Sequence, residues 1–293
     1  MPSLIVLVIV GFIAQLIDGS LGMAYGVSST SLLLAYGIAP ASASASVHLA
    51  EMGTTAVSGL SHWKLGNVDW RVVRNIALPG FIGAMLGAFG LTMLSAATAR
   101  PWVSVFLGVL GFVVLARFAF GALHRRARRP LPAWFLRPLG LVAGFLDAAG
   151  GGGWGPIATP SLLSTGAMEP RKVVGSVDTS EFLVALGASI GFFAGLTLSA
   201  VDFAWVGALL IGGIVAAPLA AMLVRWLPAR ILGTTAGTMI IFLNVRTVAD
   251  TLGFQGPALT ALYAALAVLG AVAMASAVMR LRSDREHHEQ ATT

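Results

Sequence analysis

Residues 147–155 read Asp147-Ala148-Ala149-Gly150-Gly151-Gly152-Gly153-Trp154-Gly155, and residues 18–26 read Asp18-Gly19-Ser20-Leu21-Gly22-Met23-Ala24-Tyr25-Gly26. Both stretches lie between strongly apolar segments. Glycine lets a backbone leave helical geometry and lets another group approach closely. A helix broken at membrane depth frees N–H groups that protein, water or a ligand must satisfy. The helix restarting at Tyr25 or Trp154 then points its N–H groups and positive dipole end at the break, which favours an anion. The competing reading is that the glycines only permit close helix packing. Four in succession, Gly150 to Gly153, exceed what packing needs.

The two stretches are related copies. A shift of 129 positions lays Gly11 on Gly140, Ala14 on Ala143, Asp18 on Asp147, Gly22 on Gly151, Gly26 on Gly155 and Thr30 on Thr159. One inserted residue then brings Pro40 onto Pro170, Ser46-Val47 onto Ser176-Val177 and Glu51 onto Glu181. Chance explains some Gly and Ala matches in apolar sequence. It explains paired acids poorly.

The 293 residues are 57% hydrophobic and 10% charged, against roughly 25% charged in an ordinary soluble domain. Residues 75–99, 182–201, 203–224 and 251–279 contain no Asp, Glu, Lys or Arg. About 20 apolar residues suffice for a helix to cross a bilayer core of roughly 30 Å. Several such runs in succession do not fit a soluble globule of this size. Their all-round apolarity excludes the short alternating strands of a β-barrel. The absence of Cys excludes disulfides, thiolate metal sites and cysteine nucleophiles. The N-terminal MPSLIVLVIVGFIAQLID lacks a basic n-region and a small-x-small cleavage site, so it is expected to be a retained membrane segment. The net charge of +6 centres on Arg125, Arg126, Arg128 and Arg129, between apolar stretches. That placement suits a topology-setting cytoplasmic loop and not nucleic-acid binding.

Loop charges orient the chain. Lys64, Arg71 and Arg74 mark 62–74 as cytoplasmic, Arg100 alone leaves 95–101 external, and 117–137 returns to the cytoplasm. Arg171 and Lys172, Arg225 and Arg230, and Arg280 and Arg282 all fall inside only if 133–165 enters and returns on one side. Residues 133–149 and 154–165 are short for full crossings, as are 2–17 and 24–37, which suits half-helices. On this parity 41–62 runs inward and 171–198 outward. The reading is an all-α polytopic membrane protein of two pseudo-symmetric, inverted repeats, each opening on a glycine-broken or re-entrant helix. Residues 1–123 form the first repeat and 124–132 a basic cytoplasmic loop. Residues 133–280 form the second repeat with an extra C-terminal helix, and 281–293 a disordered tail.

Candidate anion-binding residues are Gly22, Tyr25, Gly26, Gly151, Gly152, Gly153, Trp154 and Gly155 at the breaks. Ser28, Ser29, Thr30 and Thr159 follow them, and their hydroxyls either donate to an anion or bond carbonyls of their own helix. An ionised carboxylate at mid-membrane costs roughly 2.5–3.5 kcal/mol, so it needs a partner, a proton or water. His48 and Glu51 share one helix face, as do Asp178 and Glu181 at the equivalent positions of the second half. These pairs, with Asp18 and Asp147, are the candidate proton carriers, although Asp18 and Asp147 equally suit capping of the restarted helices. His48 lacks the ligand spacing of a metal site, no nucleophile–base set appears, and GxxxxGK[ST] is absent. No enzyme, metal or cofactor is therefore expected.

The segments DGSLGMAYGVSSTSLLLAYGIAP, ASASASVHLAEMGTTAVSG, SHWKLGNVDW, LPGFIGAMLGA and DAAGGGGWGPIATPSLLSTGAMEPRKVVGSVDTSEF resemble the TauE/SafE sulfite exporter family of membrane transporters. The likeness extends to about residue 280, although Gly22-Met-Ala-Tyr-Gly26 is less glycine-rich than the family's pattern. The resemblance implies movement of sulfite, thiosulfate or an organosulfonate. With the residues, it implies a secondary transporter in the cytoplasmic membrane whose partners are a small anion, lipid and possible protons. A passive anion channel and a non-transporting scaffold are the alternatives. The scaffold predicts that Asp147→Asn and Glu181→Gln are harmless.

Overall fold

A computed structural model describes residues 3–121, 131–165, 167–223, 229–254 and 256–290. They form helices α1 Leu4–Leu21, α2 Tyr25–Ala35, α3 Pro40–Lys64, α4 Trp70–Thr92 and α5 Ala96–Phe120. The order then repeats as α6 Ala133–Gly150, α7 Trp154–Ser164, α8 Pro170–Gly195, α9 Phe203–Leu223 and α10 Ala229–Thr251, with α11 Pro257–Gln290 last. The described residues contain no strand. Six helices are long and apolar enough to cross a membrane: α1, α4, α5, α8, α9 and the Pro257–Leu281 part of α11. Large apolar side chains such as Ile5, Leu78, Trp102 and Ile211 face outward, while Gln15, Asp18, His48, Glu51 and Asp178 are buried. That inversion of soluble-protein habit is the arrangement lipid demands.

Two expectations need correction. Residues 281–290, read as disordered tail, continue α11 to Gln290. The first break also falls later than 2–17 suggests. Gly19 and Ser20 stay helical, and α1 ends only where Gly22 takes the left-handed conformation, φ 68°. Of the basic loop 124–132, residues 124–130 lie outside the described residues, as do Arg225 and 291–293.

Glycines set the packing, because small residues let helix backbones touch where lipid offers no hydrophobic drive. On α6, Gly140 lies against Ile76 and Gly144 against Gly80, so α4 and α6 run parallel. On α8, Gly187 meets Phe81 and Gly191 meets Met85, so α4 and α8 are also parallel. Helices α6 and α8 therefore point the same way. The intervening α7 must carry the chain back, which makes α6–α7 a re-entrant pair. In contrast α3 and α8 are antiparallel, with the His48 ring 5.8 Å from Phe192 and His62 3.8 Å from Asp178. Helices α5 and α10 are antiparallel as well, Gly111 meeting Ile240 and Gly233 meeting Phe118.

Candidate functional site

Both breaks close in the same way. Gly22 and Gly151, with φ of 68° and 81°, end α1 and α6 and donate their N–H to the carbonyls of Asp18 and Asp147. Each aspartate then turns its carboxylate onto the restarting helix. Asp147 Oδ1 accepts from Gly153 and Trp154 N–H at 2.6 and 3.0 Å, and Asp18 Oδ1 accepts from Tyr25 N–H at 3.3 Å. The helix ends expected to face an anion are thus occupied, in this conformation, by the protein's own carboxylates.

The two breaks meet. A Cβ on Gly152 would overlap the backbone of Gly26 and Val27, and one on Gly155 would overlap Gly22 and Met23. Thr159 donates to the Gly22 carbonyl, which ties the second half to the first. The aromatic pair anchors the junction. Tyr25 hydroxyl donates to Leu209 O at 3.1 Å beside Gly213, and Trp154 Nε1 donates to Val177 O at 3.1 Å beside Gly80. Ser28, Ser29 and Thr30 are buried, and none of their hydroxyls has a hydrogen-bond partner. Between the breaks lies a void lined by Asp18, Gly26, Asp147, Gly153, Trp154 and Glu181, too narrow for a water molecule.

The acids assemble across the halves. Asp147 of the second half faces His48 and Glu51 of the first, with Nε2 of His48 3.1 Å from Asp147 Oδ2 and 3.9 Å from Glu51 Oε2. Asp18 of the first half faces Asp178 and Glu181 of the second, their carboxylate oxygens within 4.8 Å of one another. His48 Nδ1 lies 2.8 Å from the Ser44 carbonyl, which only accepts, so Nδ1 carries a hydrogen. The contact from Nε2 to Asp147 then needs a second, shared proton. The two triads occupy equivalent positions, but an imidazole in one stands where a carboxylate, Asp178, stands in the other.

The structure thus brings Asp18, His48, Glu51, Asp147, Asp178 and Glu181 to one centre, together with both breaks. Sequence reading missed Gln15, Ser58, His62 and Asn244. All four are buried, and Asn244 Nδ2 donates to Ser31 Oγ at 2.6 Å. The available signal was a strongly polar side chain within an apolar helix. His62 was masked by its place near the basic end of α3.

One end of the molecule is closed and the equivalent other end is cleft. Asp69 N–H donates to Ser176 Oγ at 2.8 Å, and Lys172 Nζ donates to Val68 O at 3.2 Å, so the α3–α4 connection sits on the start of α8. Ser46, the equivalent of Ser176, instead bonds within its own helix to Ser42 O. There an open cleft is lined by Gly37, Ile38, Ser42, Asp202 and Trp205.

The family model described as Sulfite exporter TauE/SafE matches residues 7–247. The chain is 54% identical, over 250 residues, to the "Probable membrane transporter protein YtnM" of Bacillus subtilis (strain 168). The match covers 84% of this chain and 83% of that relative. No solved structure matches the chain.

Proposed function

The chain belongs to the sulfite exporter TauE/SafE family of membrane transporters, and from that premise we propose that it is a secondary transporter of a small sulfur-containing anion. Sulfite, thiosulfate and organosulfonates are the substrate class, carried by alternating access between inverted repeats with protons moving alongside. The observation that carries this reading is the meeting of both breaks and both acid triads at one closed centre. The antiparallel packing of equivalent helices α3 and α8, and α5 and α10, supports inversion.

Magnitudes argue for coupling. An anion about 4 Å from one ionised carboxylate is repelled by roughly 4 kcal/mol at an effective dielectric of about 20. A helix N-terminus offers about 0.3–1 kcal/mol, up to about 2 in favourable sites. Repulsion wins, so an anion enters a space lined by Asp18, Asp147 and Glu181 only when positive charge neutralises them. The proton shared by His48 and Asp147 is one such charge. The closed centre speaks against a passive channel.

Lys64, Arg71, Arg74, Arg171 and Lys172 share the closed end, so the positive-inside rule makes that end cytoplasmic and the cleft external. Since the chain has no Cys, single cysteines report this directly. Ser42→Cys is expected to react with an impermeant maleimide added outside, while Ser176→Cys is protected until Asp69 and Lys172 release it. Protection of Ser42→Cys with ready labelling of Ser176→Cys would reverse the assignment. The transport reading is tested by proteoliposome uptake of sulfite, thiosulfate and sulfoacetate. Uptake of at least one, lost when both breaks are disrupted, is expected; no uptake of any would sink it.

A further inference from the structure

The two triads occupy equivalent positions but differ in charge. In the Asp147–His48–Glu51 triad, the imidazole brings its own compensating proton. In the Asp18–Asp178–Glu181 triad, a third carboxylate takes the imidazole's place. No Lys or Arg pairs with these three acids among the described residues. The nearby histidine does not compensate either. His62 Nε2 donates to the Gly19 carbonyl at 3.0 Å, and its Nδ1 accepts from Asn67 Nδ2 at 3.2 Å. Both ring nitrogens are satisfied in the neutral form, so His62 brings no positive charge to Asp178, 3.8 Å away.

Around the triad stand buried oxygens that make no well-formed hydrogen bond. Asp18 Oδ2 and both carboxylate oxygens of Asp178 are among them. Ser58 is fully buried, and its hydroxyl faces Asp178 without reaching full hydrogen-bond geometry. Gln15 is also fully buried, with both amide atoms unpartnered, and its side chain and Ser58 Oγ flank Gly19 beside Asp18. A proton needs one pair of acceptors. Three carboxylates with a buried hydroxyl beside them offer several oxygens that one cation can share. Oxygens around a cation bound at about 2.4 Å are at most about 4.8 Å apart, and one oxygen from each of the three acids meets that limit.

We propose that Asp18, Asp178 and Glu181, with Ser58, form a binding site for a dehydrated monovalent cation, sodium, that moves with the anion. Magnesium, which sheds its water reluctantly, suits acids this deeply buried poorly; calcium shares the oxygen ligands and the distance, and is the competing occupant that the experiment below separates from sodium. The coupling rests on the transport reading above; the site itself does not.

Binding is therefore read without flux. The purified full chain is melted in detergent at constant ionic strength as NaCl replaces choline chloride, with parallel series in KCl and CaCl2. A saturable rise in Tm with sodium alone is expected. It should vanish in Asp178→Asn and persist in Glu51→Gln, which alters the other triad. Ser58→Ala is the milder variant should Asp178→Asn not fold, and loss of one oxygen on a charged partner shifts the sodium midpoint roughly tenfold. No saturable response, an equal response to potassium or choline, or a response to calcium alone overturns the sodium site. Anion uptake driven by pH with no sodium response overturns this proposal and leaves transport standing. A sodium-dependent Tm without uptake of any anion supports the site and overturns the transport reading.

Discussion

Gly152→Ala is expected to remove most of the folded protein. Gly152 has φ of 137°, a conformation that L side chains rarely adopt, and its Cβ would land on the backbone of Gly26 and Val27. The conformation costs about 1–3 kcal/mol, and overpacking against backbone that cannot rotate away adds about 1–3 kcal/mol. Their sum is a large part of a typical total stability of roughly 5–15 kcal/mol. Damage at this residue also separates the two breaks, so survivors should transport poorly. The control is Gly90→Ala on α4, where an added Cβ meets nothing within 4 Å. It should leave stability unchanged or raise it by up to about 1 kcal/mol. Monodisperse yield and Tm of the two variants decide the point, and equal behaviour would refute close contact between the breaks.

Asp147 separates fold from function through two substitutions. Asparagine keeps an oxygen for the Gly153 and Trp154 N–H groups and offers an amide donor to His48 Nε2. His48 then stays neutral with both nitrogens satisfied, so Asp147→Asn should fold like the parent. The shared proton is gone, however, and anion uptake driven by a pH gradient should fall at least about tenfold, the loss expected when a positioned proton carrier is removed. Alanine behaves differently. It leaves the two α7 N–H groups without their acceptor and His48 without its partner, and breaking a buried pair costs about 3–5 kcal/mol. Asp147→Ala should therefore show a markedly lowered Tm. Full gradient-driven uptake by Asp147→Asn would remove Asp147 from the coupling role, and it is also what a non-transporting scaffold would not provide.

Much of this architecture was legible because apolar sequence makes its exceptions visible. Asp18, Glu51, Asp147 and Glu181 stand out against Ala, Leu and Gly, and their regular offset exposes the repeat. The return of α6–α7 to its starting side followed from basic residues at Arg171 and Lys172. Partner choice was not legible. The pairs named along the sequence, His48 with Glu51 and Asp178 with Glu181, lie on one helix face each. Nothing in their spacing says that each receives the aspartate of the opposite half. That depends on α3 and α8 packing antiparallel, a long-range outcome of glycine notches such as Gly59 against Thr179. Capping by Asp18 and Asp147 was foreseen only as an alternative to proton carriage. Asp147 caps with Oδ1 and holds Oδ2 3.1 Å from His48 Nε2, so capping leaves its second oxygen free for the proposed proton role.

The helix-end expectation changes most. Free N–H groups at Gly153, Trp154 and Tyr25 would have attracted an anion by themselves; already bonded to carboxylates, they become available only when those carboxylates are neutralised or displaced. The proposed coupling is that anion and positive charge arrive together.

The most direct test is to record pH inside proteoliposomes while the anion enters. At equal sodium on both sides, uptake of sulfite, thiosulfate or sulfoacetate down its gradient should acidify the lumen in step with the anion, and Asp147→Asn should abolish both signals together. Anion entry with no change of lumenal pH, unaltered in Asp147→Asn, would contradict the account.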